Sequence, residues 1–214
     1  MKKIMFNDKH GLTLAVMKGV KTMTRRAITD KNAIYTLDEQ EYMGNMCVDY
    51  SFCDRYSRYK LGEEVAVAQS YETIANSGYL DIMTTPADNA VGFEFKPEYC
   101  GAGWDNKMFV KADLMPLRIR IKDIKVERLQ DISDDDCLRE GVCFINKSWC
   151  RGYEVENLWN KSLRQSFWST PQKAFAALID KVSGKGTWDS NPWVFAYTFE
   201  LLKGDGESKI NLNK

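Results

Sequence analysis

The sequence predicts an α+β fold: a small, mostly antiparallel β-barrel with about three helices at its rim and irregular insertions. Three observations lead to it. Five or six segments alternate apolar and polar residues, the pattern of strands with one wet face. About three segments carry helix start and stop signals. Strands and helices do not follow each other in the βαβ rhythm of a parallel sheet. With 214 residues, 44% of them apolar, the chain suits one domain with insertions around a single core. That domain is expected over 1–203, with insertions near 27–58, 70–106 and 142–169 and a polar tail at 204–214.

Lys3 to Asn7 reads as a first short strand, and Leu12, Val16 and Met17 stand at near-helical spacing in the segment that runs into Gly19. A glycine there suits the left-handed residue that closes a helix. From Ala27 to Arg58 the pattern fades, with Tyr35, Tyr42, Tyr50, Phe52 and Tyr56 scattered among polar residues. Loops that long rarely lack structure, so a short helix near Asp38–Tyr42 or a hairpin is expected. Gly62 feeds a strand with Leu61, Val65 and Val67 inward. Ser70 to Asn106 is irregular, with the Val91–Phe95 run as its one strand, and Met108–Ala112 returns to strand character. Leu117–Ile121 alternates strictly; the apolar parity then shifts to Ile124, Val126 and Leu129, which predicts a bulge at Lys122-Asp123.

Ser133 to Gly141 reads as a complete short helix, with Ser133 as N-cap, Asp136 closing a capping-box pattern and Gly141 as terminator. Glu140 breaks the local rules by placing a carboxylate at the negative end of the helix dipole. Such a violation is either a functional position or noise. Val142 to Ser169 is the third irregular region. Thr170-Pro171 opens a helix with Phe175, Leu178, Ile179 and Val182 on one face and Gly184 at its end. A turn at Trp188–Trp193 leads into a last strand, Val194–Leu201.

Lys plus Arg equals Asp plus Glu at 30 each, so no global basic field draws the chain to a long duplex, and any nucleic-acid contact must come from a local patch. That favours a small or single-stranded ligand. The sequence has no apolar run of membrane-spanning length and no signal-peptide pattern at its start, so no membrane partner and a cytoplasmic location are expected. Six cysteines without a Cys-x-x-Cys pair, and His10 as the single histidine, predict reduced thiols, no metal and no cofactor.

One local patch stands out. Gly19-Val20-Lys21-Thr22-Met23-Thr24-Arg25-Arg26 packs three cations and two hydroxyls into eight residues where a helix ought to end. It is either a solvated helix end favoured by the macrodipole or a set that holds a phosphate, a carboxylate or a base edge. Arg118, Arg120 and Lys122 form a basic stripe on one strand face, a ligand surface or an ordinary wet face. Trp193, beside an apolar strand, is expected in the core, while Trp188 is open to stacking on a base.

Four stretches together resemble the ASCH family, a β-barrel group related to the PUA RNA-binding domains. They are Gly19 to Arg26, Gly62 to Val67, Ile119 to Gly141 with Arg128-Leu129-Gln130-Asp131-Ile132-Ser133 running into Glu140-Gly141, and Trp188 to Phe195. The last two are similar to longer phage and prophage members. The resemblance, spanning residues 4–202, implies a cleft on the barrel that faces RNA, a nucleotide or a modified nucleoside. Some small members hydrolyse N4-acylated cytidine. Carried over residue by residue, that would make Thr24 the nucleophile, Lys21 its base and Glu140 the acid/base, with Thr22, Arg25, Arg26, Arg118, Arg120 and Trp188 binding the ligand. Desolvation and the neighbouring Arg25 and Arg26 would lower the proton affinity of Lys21. The competing expectation is a phage-encoded interaction module, in which the insertions bind a protein partner and the old cleft is vestigial.

Overall fold

The computed structural model of the chain describes residues 1–44, 48–76, 101–147, 150–155 and 167–202. The expected strand at Val91–Phe95 and the tail at 204–214 lie outside the described residues. The chain falls into two compact units: one formed by Met1–Phe6, Glu64–Ile119 and Leu201–Lys214, the other by Asn7–Glu63 and Arg120–Glu200.

In the first unit β1 (Lys2–Ile4) lies parallel to β3 (Glu64–Val67), with Lys2 opposite Val65 and Ile4 opposite Val67. Val65, Ala66 and Val67 are all fully buried, so this strand is covered on both faces, while Leu61, expected inward, is 55% exposed. Ala66 and Ala68 pack with Tyr71 and Ile74 of α4 (Tyr71–Asn76) and with Val110 and Met115. The expected strand at Met108–Ala112 is absent; Lys107–Phe109 and Ala112–Leu114 are 3₁₀ turns. Two side chains account for the difference. Asn106 caps the first turn by accepting from Met108 N, and Lys3 Nζ donates to the carbonyls of Met108 and Val110 at 2.6 and 2.8 Å, taking the acceptors a ladder would need.

In the second unit α1 (Leu12–Met17) buries Leu12, Ala15 and Val16 and leads through Gly19 into β2 (Met23–Ala27). After Ala27, where a short helix near Asp38–Tyr42 or a hairpin is expected, the described residues form two helices, the first of which contains that stretch. Asp30 caps α2 (Lys31–Tyr42) by accepting from Asn32 N and Ala33 N, and Asp49 caps α3 (Tyr50–Tyr56). Only Ala33 and Leu37 of α2 are buried, which is why no apolar period showed in the sequence. β4 (Arg118–Arg128) runs without a break through Lys122-Asp123; its exposed positions, Lys122 and Lys125, stand three apart, so the parity change occurs inside a continuous strand. α5 (Asp134–Arg139) is capped by Ser133.

The third expected irregular region contains a hairpin, β5 (Val142–Lys147) with β6 (Cys150–Val155), paired antiparallel from Val142 opposite Val155. α6 (Pro171–Ser183), capped by Thr170, buries Ala174, Phe175 and Leu178, with Ile179 and Val182 at its half-buried margin. A short turn, α7 (Thr187–Ser190), and Asn191 in the left-handed region lead into β7 (Trp193–Leu202).

β2 and β7 pair antiparallel, with Thr24 opposite Tyr197 and Arg25 opposite Ala196. In the first unit β1 neighbours β3, and in the second β7 lies between β4 and β2. The α+β class and the mostly antiparallel sheet are therefore observed, but the expected closed barrel is not present among the described residues. β1, only three residues long, is a short edge strand of the kind that ends a sheet. No helix among the described residues is long and apolar enough to cross a membrane.

Candidate functional site

Two glycine-punctuated chain ends position the candidate site. Gly19 sits at φ 70°, and the amides of Val20 and Lys21 both donate to Ala15 O, at 2.9 and 3.0 Å. Thr22 N then donates to Arg139 O, and Thr22 O accepts from Phe199 N, both at 2.9 Å. The chain thus enters β2 tied to the end of α5 on one side and to β7 on the other. Gly141, at φ 103°, ends the α5 turn, and a Cβ there would stand 3.8 Å from Lys21 Cβ. Lys21 is brought beside Glu140 across 119 positions of sequence.

Lys21 Nζ donates to Glu140 Oε2 at 2.5 Å and to Glu140 O at 2.9 Å. The other carboxylate oxygen, Oε1, accepts from Arg25 Nη1 at 3.1 Å. Arg25 reaches further: Nε and Nη2 donate to Glu127 Oε1 at 2.8 and 2.5 Å, Nη2 to Asp136 Oδ2 at 3.0 Å, and Nη1 also points at Met23 Sδ at 3.2 Å. A guanidinium has five N–H donors. All five of Arg25 are engaged within the chain. The Phe175 ring lies 6.0 Å from its Cζ. Asp136 also receives Lys125 and Arg139, each at 3.3 Å, so the cluster reaches from buried Lys21 to cations at the surface. Lys21 and Glu140 are 2% and 3% exposed.

The sequence-predicted residues divide. Lys21, Arg25 and Glu140 come together. Met23 and Arg25 share one face of β2, and strand alternation sends Thr24 and Arg26 to the other. Thr24 is buried there, and no hydrogen bond joins it to Lys21 or Glu140 among the described residues. Thr22 is half-buried and is held through its backbone. Arg120 pairs with Glu200 at 3.6 Å, as does Lys122 at 3.4 Å, so the end of the basic stripe is matched by an acid. Arg118 is half-buried on the same strand. Trp188 packs edge-on against Phe175 at 6.2 Å, while Trp193 is buried in the core as expected.

Two members of the cluster carried no site signal. Nothing in the sequence pattern singled out Glu127, next to the last residue of β4. Asp136 was expected to close a capping box; Ser133 Oγ does accept from Asp136 N at 3.1 Å, but the Asp136 carboxylate turns to Arg25. Only the fold brings it there.

Burial lowers the pKa of Lys21 from its ordinary value, with Arg26 and Arg25 acting in the same direction and Glu140 opposing them. Asp136 is pulled low despite its burial, because Arg25 and Lys125 favour its charged form. Burial also works against the Arg25 cation, but Glu140 and Glu127 outweigh it. Burial pushes the nearby Cys137 thiol up to about 12, which removes it as a nucleophile at neutral pH. The cluster therefore holds Glu140 between two buried cations, Lys21 and Arg25. Among the described residues no group of three or more His, Cys, Asp and Glu stands close enough to hold a metal ion.

No family model matches the chain, and no curated protein matches it. Among solved structures, the crystal structure of protein EF3133 from Enterococcus faecalis V583, a DUF984 protein, aligns over 92% of this chain and 68% of its own, at 11% identity and a TM-score of 0.31. A superposition that loose carries no argument about fold or function.

Proposed function

We propose that the chain is an ASCH-type protein that binds RNA or a modified nucleoside and hydrolyses the amide of an N4-acylated cytidine. The observation that supports this reading is the 2.5 Å contact between Lys21 Nζ and Glu140 Oε2. The ASCH resemblance assigns a base and an acid to these two residues, and they lie 119 positions apart in sequence.

In this reading Thr24 Oγ adds to the acyl carbon, and because Thr24 lies on the face of β2 opposite Met23 and Arg25, a water carries its proton to neutral Lys21. Lys21 hands that proton on through Glu140 to the N4 nitrogen as the C–N bond breaks and cytidine leaves; water then adds to the acyl-Thr24 ester, the C–O bond breaks, Thr24 Oγ regains a proton and the acyl group departs as a carboxylate. The lowered pKa of Lys21 serves the first step, because it enlarges the neutral fraction near pH 7. Arg26 would contact the ligand, since the donors of Arg25 are already engaged.

Incubating the protein with N4-acylated cytosines, cytidines and short RNAs, and following amide loss by chromatography, tests the proposal. Lys21→Ala, Thr24→Ala and Glu140→Ala, each checked for folding by circular dichroism, should lose roughly 100-fold or more of the turnover. Absence of turnover with every substrate would overturn the hydrolase reading, and absence of binding as well would overturn nucleoside recognition.

One observation favours the interaction-module reading. Tyr35, Tyr42, Met43 and Tyr50, on or beside α2 and α3 in the 27–58 insertion, are 68%, 92%, 70% and 72% exposed. Exposed aromatic residues of this kind suit a protein contact. A chain that neither turns over nor binds nucleosides, yet pulls down one stoichiometric protein that Tyr42→Ser releases, would decide for it.

A further inference from the structure

We propose that Arg25 is the positioning residue of the Lys21–Glu140 pair: it grips Glu140 Oε1 and so leaves Oε2 facing Lys21 Nζ. The role assigned to the pair itself rests on the hydrolase reading above, but the geometry stands without it.

A glutamate side chain has three rotatable bonds, and a lysine alone would not fix the orientation of its carboxylate. Arg25 removes that freedom because its fork is itself immobile. It is held by Glu127 from β4, by Asp136 from α5, by Met23 Sδ on its own strand and by the Phe175 ring of α6. Planar guanidinium groups suit such multi-point grips, and an ammonium does not replace them. With all five donors engaged, Arg25 has no N–H left for a ligand. Its service to the site therefore passes through Glu140.

A second consequence is electrostatic. Among the described residues, the charges acting on Lys21 include Glu140, Arg25 and Arg26, and those on Glu140 include Lys21 and Arg25; Asp136 further receives Lys125 and Arg139. Arg25 therefore competes with Lys21 for one carboxylate while also repelling it. Both effects make Lys21 easier to deprotonate.

The test reads Lys21 directly and needs no substrate. In protein labelled with ¹³C,¹⁵N-lysine, the Lys21 resonance is assigned by its loss in Lys21→Arg, and its titration is followed by NMR. Arg25→Gln should raise the Lys21 pKa by about one unit or more, and Arg25→Lys, which restores the charge but not the fork, should recover only part of that shift. Glu127→Gln is the milder second variant, made at a partly exposed carboxylate. It removes a negative charge beside Arg25, leaving more of the Arg25 charge uncompensated near Lys21, and should lower the Lys21 pKa by about half a unit. An unchanged Lys21 titration in folded Arg25→Gln overturns the proposal; where that variant does not fold, an unchanged titration in Glu127→Gln does so. Because no turnover is measured, these outcomes are independent of whether the chain hydrolyses an amide.

Discussion

Lys21, Arg25 and Glu140 place two cations and one carboxylate at positions that are at most 5% exposed, with Asp136 at 6% beside them. Each member is tolerable there only while its partners remain. Glu140→Gln leaves two buried cations short of a carboxylate and should cost about 3–5 kcal/mol in urea unfolding. The double variant Lys21→Met with Glu140→Gln removes one of those cations and should recover part of the loss. Additive costs in that cycle would show that the pair does not couple. Asp136 supplies the pH dependence. Its folded pKa lies below its ordinary 3.8, so its contribution to stability is full above that value and is lost as pH falls through the folded one. Asp136→Asn should therefore flatten the acid limb of the stability curve below about pH 4, read by urea midpoints at successive pH values. The unusual position of Glu140 was visible in the sequence as a carboxylate at the wrong end of a helix. What offsets it there, Lys21 and Arg25, was not, because helix chemistry is local and these partners arrive from β2.

Short elements with strong punctuation hold the site, so their ends matter more than their lengths. α5 has six residues and depends on Ser133 at one end and Gly141 at the other. Ser133→Ala should cost about 1 kcal/mol through the lost cap and loosen the backbone that carries Asp136. Gly141→Ala should cost about 1–2 kcal/mol for its positive φ, not for space, since the added Cβ would make only an ordinary contact at 3.8 Å with Lys21 Cβ. A calorimetric midpoint unchanged in Gly141→Ala would contradict that origin. Gly19, Ser133, Gly141 and Thr170-Pro171 were all legible in the sequence, because a cap or a left-handed residue needs only its neighbours. The start of helix α2 was not. Its buried stripe is just Ala33 and Leu37, and its remaining attachments are polar and come from elsewhere in the chain.

At the scale of the molecule, α2 is held to its unit by a polar anchor. Arg128 of β4 lies over the Trp193 ring at 4.1 Å and donates to Asp38 and Glu41 at 2.9 and 2.5 Å, while Trp193 Nε1 donates to Asp38 at 2.8 Å. Four residues from three elements thus replace the apolar face that α2 lacks. Arg128→Met keeps the bulk but loses these bonds, so amide exchange across Lys31–Tyr42 should accelerate about tenfold while β4 stays protected. Equal acceleration in both elements would mean that the anchor supports the whole unit and not the helix alone.

The sequence by itself determined the local events: the helix before Gly19, the strict strand after Leu117, the capped helices at Ser133 and Thr170, the buried Trp193 and the last strand. These follow from period, caps and backbone preferences within a few residues. It also gave the mixed α+β class with mostly antiparallel strands. Only the tertiary structure decided that no closed barrel forms among the described residues, that Met108–Ala112 forms turns under Lys3 and Asn106, and that the helix near Asp38–Tyr42 extends back to Lys31 and is followed by α3. It also decided that Arg25 faces three carboxylates drawn from positions 127, 136 and 140. The physical reason is the same throughout. Periodicity records which face of an element is apolar, whereas a buried charge is stable only beside partners that distant segments supply, and their arrival leaves no mark on spacing.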